Sequence, residues 1–589
     1  MSGYSRWLRN SCKALPWISF LLVLPVSAIE LGQCPASNPR GFPYAKAFTG
    51  NRIAYRVNAV SFDALPSIGR NAGVTAVALG ADTWNEQSTA ADFYLSGSTS
   101  LASLPDTIEA CNAQGVDASL VTVSNVCLTG GYARTFGRCW RTGTGDAQGW
   151  TRFEMIIHTQ WRPTSADVCE PIPWSVGAAQ ADRLDLASVT THEFGHALDV
   201  GHAPDGYWSI MTPGAYGTNR DRDLYLWDVE CAGVIAGSRK LKAYHRFHFG
   251  GVLQAEQTSM TGDAHTTQAA VGVLQNPGGT WSWAAASRLW WNNSYYWDWG
   301  LGSLDPIHVL SEPSGLGITI GTTHEEPTWA RLFWPKQDEW PRYQWTATHS
   351  VKYKFSDDGF ATSGRTGELV HCRNMIGWMQ CAPTWAYYEI AVVQTAKPLA
   401  VAWDNLNQRT VFAWVHQDRD YAPWSRNRDV KIAFGYIGHI QGAWMLPQPD
   451  DAGVKSSVSP GVACSAGRAA GYDCILAYVD DTDPLASVRI KRFSGRQGAY
   501  RYELVAEPGS RQLMANVRTA SRIAAWYHDN NFYIAIRPIR TGQQLEVFQS
   551  VDGATWTVVV GAWTGAYTTT GPSAASTWAI GNNVLMYMR

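Results

Sequence analysis

The hydrophobic pattern along the chain changes period near Gly237. Before that point strand and helix periods alternate. Arg52-Ile53-Ala54-Tyr55-Arg56-Val57 and Phe153-Glu154-Met155-Ile156-Ile157-His158 read as strands, because residues two apart share a face. Residues 73–85 place Val74, Val77, Leu79 and Trp84 around successive turns, and residues 184–200 carry apolar positions at helical spacing. Each predicts a helix, and Asp185 stands where the second one needs a cap. The expectation for this part is an α+β unit.

Beyond Gly237 the helix period vanishes and strand-and-turn units recur. Residues 398–403, 411–415 and 430–434 form one set of short apolar strands. Residues 460–464, 474–479 and 488–491 form a second, and residues 523–527, 532–536 and 545–548 a third. The spacing of roughly 58 residues fits the blades of a β-propeller. A last copy begins at Pro572 and stops after two strands, so strands from the start of the domain, around Val252 to Val273, are expected to complete it. An array of β-sandwiches is the rival architecture. Ser550-Val551-Asp552-Gly553-Ala554-Thr555-Trp556 resembles the Asp-box turn of sialidase-like propellers, and Ser356-Asp357-Asp358-Gly359 resembles it more weakly. Such a turn supports a hairpin and does not by itself imply a glycosidase.

Length and composition bound the rest. A chain of 589 residues divides into several cores, and 29 Trp with 25 Tyr and 54 Gly suit short aromatic strands joined by tight turns. A net charge of −2 offers no basic surplus for nucleic acid or an anionic membrane. Residues 1–28 read as a signal peptide: Arg6, Arg9 and Lys13 precede an apolar run that ends at Val26-Ser27-Ala28. That run is shorter than the roughly 20 residues a bilayer needs and contains Pro16 and Pro25, so secretion is expected and stable membrane insertion is not. Of the eleven cysteines Cys12 leaves with the signal, and the even remainder fits disulfides in an oxidising compartment. Cys372 with Cys381 and Cys464 with Cys474 read as local pairs; Cys34 is either a disulfide partner or a thiolate that masks a metal.

The candidate chemistry lies in Thr191-His192-Glu193-Phe194-Gly195-His196-Ala197-Leu198-Asp199-Val200-Gly201-His202. On a helix, histidines four apart lie on one face, about 5–6 Å apart at Cβ, and converge on one ion. Glu193 lies beside them as a base for the water proton. With His202 the stretch resembles the metzincin signature HExxHxxGxxH, and its wording is closest to the matrixin branch. Ser209-Ile210-Met211-Thr212-Pro213 resembles the family's methionine turn, and the stretch from Trp227-Asp228-Val229 to Gly237 resembles its closing helix.

The resemblance covers residues 45–237. It implies a metzincin-like fold with a twisted sheet and an active-site helix, in which His192, His196 and His202 ligate Zn2+, Glu193 is the general base, Met211 is the floor and Asp228 ties the domain together. The implied activity is that of a secreted metalloendopeptidase, cleaving protein or peptide substrates with a zinc-activated water. The domain order expected is signal peptide 1–28, matrixin-like domain 29–237 and propeller-like domain 238–589.

The chain departs from the family pattern in several places. There is no counterpart of the prodomain cysteine motif or of a His-rich loop for a second zinc, and Tyr216 follows Pro213 one residue later than in the family. Nor does the β domain resemble hemopexin. Asp199 replaces the glycine that turns the chain toward the third histidine; Asp tolerates φ > 0 better than most residues, at a cost of about 1 kcal/mol relative to Gly. The expectation is an intact site, the alternative being that Asp199 itself ligates. Two other functions compete: a non-catalytic adhesion protein whose β domain binds glycan or matrix, and a glycosidase on the propeller. The latter needs an arginine cluster, for which only scattered residues such as Arg489 and Arg537 offer themselves.

Overall fold

β1 (Ile53–Val57) buries Ile53, Tyr55 and Val57 and leaves Ala54 and Arg56 half-exposed, as its alternation predicts. The computed structural model describes most of residues 53–232 and 397–559, and elsewhere the backbone of separate strands between 241 and 380 and between 573 and 588. The signal segment 1–28, Cys34, Tyr216, Cys372, Cys381 and the weaker Asp-box residues 357–359 lie outside the described residues.

β2 (Phe93–Ser98) and β3 (Ser119–Ser124) flank β1 and run parallel to it. β4 (Leu128–Thr129) belongs to a small side sheet. The main sheet ends with β5 (Ala133–Arg141), antiparallel to β6 (Gly149–His158), which is itself parallel to β3; the order is β2-β1-β3-β6-β5. β7 (Gln160–Arg162) and β8 (Glu170–Pro171) join β4. Disulfides Cys111–Cys139 and Cys127–Cys169 fasten the loops around this sheet.

Helices pack on the main sheet and on one another. α1 (Arg70–Asn85) starts slightly before the predicted span, and α2 (Ile108–Ala113) is a short turn tied to β5 by its disulfide. β9 (Trp174–Ser175) pairs in parallel with β10 (Leu184–Asp185), so the first two residues of the predicted second helix are strand. α3 (Leu186–Ala197) follows, with the Asp185 side chain accepting from the Ser188 amide at 3.1 Å. Its Phe194 ring sits among Tyr55, Phe93 and Phe153 of the sheet, with centroids 5.4, 4.7 and 5.8 Å away. α1 meets α3 at Gly80. A Cβ there would lie 2.6 Å from Thr190 Oγ1 and 2.7 Å from the Thr191 backbone nitrogen.

The C-terminal part is built of antiparallel sheets, which makes the described structure mostly β. Among the described residues six sheets run through four strands each, and the innermost strands touch in cyclic order: Thr258–Thr261, Thr319–Thr322, Ala400–Asp404, Gly461–Cys464, Ala524–His528, Ser573–Thr577, and back to Thr258–Thr261. This closed ring is the propeller arrangement, and it sets aside the sandwich array. The final sheet is completed from the start of the domain, but mostly upstream of the predicted place. Leu241–His245 pairs with Asn582–Met588, Val252–Ala255 adds outside it, and Val271–Gln275 belongs to the next sheet. Closing first strands onto last ones removes a free edge. Cys464–Cys474 is paired as expected. Asp552 Oδ1 accepts from Ser550 Oγ at 3.0 Å and from the Ala554 and Thr555 amides at 2.8 and 2.9 Å, while Trp556 packs in the core, so this box is a hairpin brace.

The two parts meet through buried polar groups. Asp82 of α1 pairs with Arg537 at 2.9 Å, and Arg222 links Asp185 to Asp481 of the ring. Leu485 packs against the N-terminal core, and Leu79 against the core of the ring.

Gly80→Ala tests the helix crossing. Alanine gains about 1 kcal/mol of helix propensity, while overpacking costs about 1–3 kcal/mol. Because the obstacle is the backbone of α3, the second term wins, and the melting temperature should fall by about 2–4 °C for each kcal/mol lost. An unchanged or raised melting temperature would contradict so tight a crossing.

Candidate metal centre

α3 places His192 and His196 on one face, one turn apart, and the turn after it brings His202 to them. The nitrogen ligand atoms of all three lie within 4.8 Å of one another, with ring centroids 4.5, 4.9 and 5.2 Å apart. His192 Nδ1 is 2.8 Å from the Ile210 carbonyl and His196 Nδ1 is 2.8 Å from the Val200 carbonyl. A carbonyl oxygen only accepts, so each Nδ1 carries the proton and each Nε2 keeps its lone pair for a cation. Burial holds His192 well below the usual imidazole range, and the neighbouring His196 adds to it. His196 is pushed down to about 4, chiefly by burial, and His202 is lowered for the same reason. All three imidazoles are neutral near pH 7, the form that binds metal.

The turn that delivers His202 shows why Asp199 is tolerated. Asp199 has φ +69°. Its amide donates to the His196 carbonyl at 2.9 Å, and the Val200 amide donates to that of Gly195 at 3.0 Å. These are the two bonds of a Schellman ending, which needs one left-handed residue just past the helix. The metal-capable cluster comprises the three histidines and does not include Asp199.

Met211 is buried under α3. A Cβ on Gly195 would lie 2.8 Å from Trp84 Cζ2 and closer still to Met211 Sδ, so only glycine lets the helix rest on this floor. Asp228 fixes the floor from the other side, accepting from Ser209 Oγ, from the Ile210 amide at 3.0 Å and from the Met211 amide at 3.4 Å. Trp227, Asp228, Cys231 and Ala232 are helical. Because the Ile210 carbonyl also holds His192, Asp228 reaches His192 through one residue.

Glu193 is buried, and its Oε2 has no hydrogen-bond partner among the described residues. Burial raises its carboxyl to about 7, against the opposing influence of Thr135 and Arg134 on β5. A buried carboxylate with one oxygen left unpartnered among the described residues, beside three neutral imidazoles, fits a cation and its water. Sequence reasoning missed Thr135 and Arg134, whose strand contacts α3 across the fold. The arginines weighed for a sugar site are not brought together for one. Arg537 is fully buried against Asp82, and Arg489 pairs with Asp480 at 3.2 Å.

No protein-family profile matches the chain, and no curated protein matches it in sequence. Among solved structures, the fucose-specific lectin of Aleuria aurantia is similar at 12% identity, covering 56% of this chain and 85% of its own, with a TM-score of 0.32. The sialidase of Trypanosoma rangeli matches at 11% identity over 51% of this chain and 45% of its own, with a TM-score of 0.26. A GH43_1 enzyme of Xanthomonas citri matches at 10% identity over 56% and 86%, with a TM-score of 0.26. Likeness at this level carries no inference about activity.

The lowered histidines make the metal-free protein acid-sensitive. Between about pH 6.5 and 4 an unfolded chain protonates its imidazoles while folded His192 and His196 resist, so stability falls as pH falls. Glu193, raised to about 7, acts in the opposite direction because its folded form takes up the proton first. The lowered histidines outnumber the one raised carboxyl, which leaves a net downward slope of stability as pH falls. Urea midpoints of chelator-treated protein should follow this slope and steepen in Glu193→Gln; a flat profile would remove the argument. At the turn, Asp199→Gly should keep metal affinity within about tenfold, whereas β-branched Asp199→Val, strained at positive φ, should lose more. Equal affinities for the two variants would show that φ at this position is not the constraint.

Proposed function

We propose that the protein is a secreted zinc metalloendopeptidase of metzincin type, whose propeller serves as a second, glycan- or matrix-binding unit. The observation that carries the reading is the convergence of three neutral imidazoles, two of them oriented by backbone carbonyls, beside a buried carboxyl group with one unpartnered oxygen. When bound, zinc supplies a Lewis acid for a scissile carbonyl and lowers the pKa of water.

The chain's own residues do the rest. His192, His196 and His202 present neutral nitrogens. Glu193 takes a proton at its carboxylate and returns it to the departing amine, a transfer its raised carboxyl suits near neutral pH. β5 is the outermost strand of the sheet, antiparallel to β6, and its Thr135 lies beside Glu193. An extended peptide can pair with such an edge and bring its carbonyl to the base. Among the described residues, no helix is long and apolar enough to cross a membrane.

The competing reading is a binding protein with a metal site but no turnover. Metal content and peptide-library cleavage, measured together on the mature chain, separate the two. Glu193→Ala should retain stoichiometric zinc and lose about 10²–10⁴-fold in cleavage rate. His196→Ala should lose both. Stoichiometric zinc with no cleavage by the unaltered chain would favour the binder, and absence of zinc would sink both metal readings. Glycan-array binding, if the propeller carries it, should be unchanged in Glu193→Ala.

A further inference from the structure

Arg222 lies between the methionine turn and Asp228, and its guanidinium is shared between the two halves of the molecule. Nε and one terminal nitrogen fork onto Asp185 at 2.6 Å each, and the other terminal nitrogen reaches Asp481 at 3.3 Å. The three side chains are 5%, 3% and 1% exposed. Asp185 also caps α3, taking the Ser188 amide and, at 2.7 Å, the Ser188 hydroxyl. A rigid five-donor fork that binds the cap with one edge and the ring with the other transmits the position of one to the other.

The part of the ring that carries Asp481 is itself braced. Asp480 Oδ1 accepts from the Thr482 amide at 3.0 Å and the Thr482 hydroxyl at 2.6 Å, the Asp483 side chain accepts from the Leu485 amide at 2.8 Å, and the Asp481 amide donates to the Lys455 carbonyl at 3.0 Å. This turn enters the N-terminal unit. Leu485 packs on its core, and the Thr482 carbonyl lies 2.7 Å from where a Cβ on Gly177 would stand. A second contact bears on the same helix through α1. Arg537 and Ser521 hold Asp82, two residues beyond the Gly80 crossing with α3, and Arg537 also donates to the Phe93 carbonyl at 3.2 Å. Buried ion pairs are poor sources of net stability compared with apolar packing, but breaking one leaves a desolvated charge behind.

We propose that the propeller is a positioning unit for the metal-binding helix, with Asp481 acting through Arg222 on the Asp185 cap of α3. The proposal rests on the metal reading above. Asp481 touches neither metal nor substrate; it is a positioning residue, and a shift of the cap moves His192 and His196 as one rigid helix.

The test uses the full mature chain with cobalt(II) as the probe, in four forms: unaltered, Asp481→Asn, Arg222→Gln and both. Asp481→Asn should speed cobalt release to a chelator about tenfold, the scale of coupling between linked sites, and alter the cobalt visible spectrum. It should also speed amide exchange at Ser188–His192 in the metal-free protein. In the Arg222→Gln background the same change should add less than about twofold, because its route is already cut. Release, spectrum and exchange all unchanged in Asp481→Asn, or effects that add in full, would overturn the proposal. If the unaltered chain takes up no cobalt, the metal reading fails alone, and the metal-free exchange still decides the link to Asp481. Should the variants not fold, native-state exchange of the unaltered chain in mild urea decides instead: the first turn of α3 and strand Cys474–Val479 should open together, and separate opening would overturn the proposal.

Discussion

The burial of α3 on every side is the constraint from which the rest follows. The helix is twelve residues long, and eleven of them are buried. A helix in that position has no solvent to satisfy its ends, so both must be satisfied by the fold. Asp185 does this at the start and the left-handed turn at Asp199 does it at the end. The same confinement dictates small residues where neighbours touch: Gly80 opposite Thr190 and Thr191, and Gly195 over Met211 and Trp84. Two histidines on a helix held this way have little freedom left. Their Nδ1 contacts then remove the remaining ring rotation.

Confinement also sets the chemistry. Desolvation lowers the imidazoles and raises the carboxyl on the same helix, so one physical cause produces neutral imidazoles and a carboxyl poised near neutral pH. Neither effect needs a dedicated charged partner. Asp228 shows the complementary strategy. Its carboxylate accepts from Ser209, Ile210 and Met211, and it bears on the histidines by fixing the backbone that holds His192.

Much of this was legible locally. The 3.6 period of residues 184–200, the cap at Asp185 and the spacing of His192, His196 and His202 are written within one short stretch, and the expectation of φ > 0 at Asp199 comes from the glycine of the resembled signature. The Asp box at Asp552 was readable for the same reason, because its hydrogen bonds span three residues. The boundary of the closing sheet was misplaced, since alternation marks a strand without naming its partner, and Leu241–His245 carries a weaker pattern than Val271–Gln275. The seam was invisible. Asp481 lies 259 residues from Arg222, and Arg537, weighed in the sequence for a sugar site, is paired with Asp82 instead.

That seam explains why two architectures with separate cores sit on one chain as more than neighbours. An apolar seam of the same size would hold the parts together but would tolerate sliding, because hydrophobic contact has no preferred direction. The ion pairs found here are directional. Each takes a carboxylate from one part and a guanidinium from the other, and in opposite senses: Asp82 faces Arg537 of the ring, while Arg222 faces Asp481. Two such contacts with opposite polarity allow one arrangement and penalise a displaced one, since any shift leaves a desolvated charge behind. Both end on α1 or on the cap of α3, the two elements that cross at Gly80. The ring therefore bears on the same helix that sequence alone marks as the site.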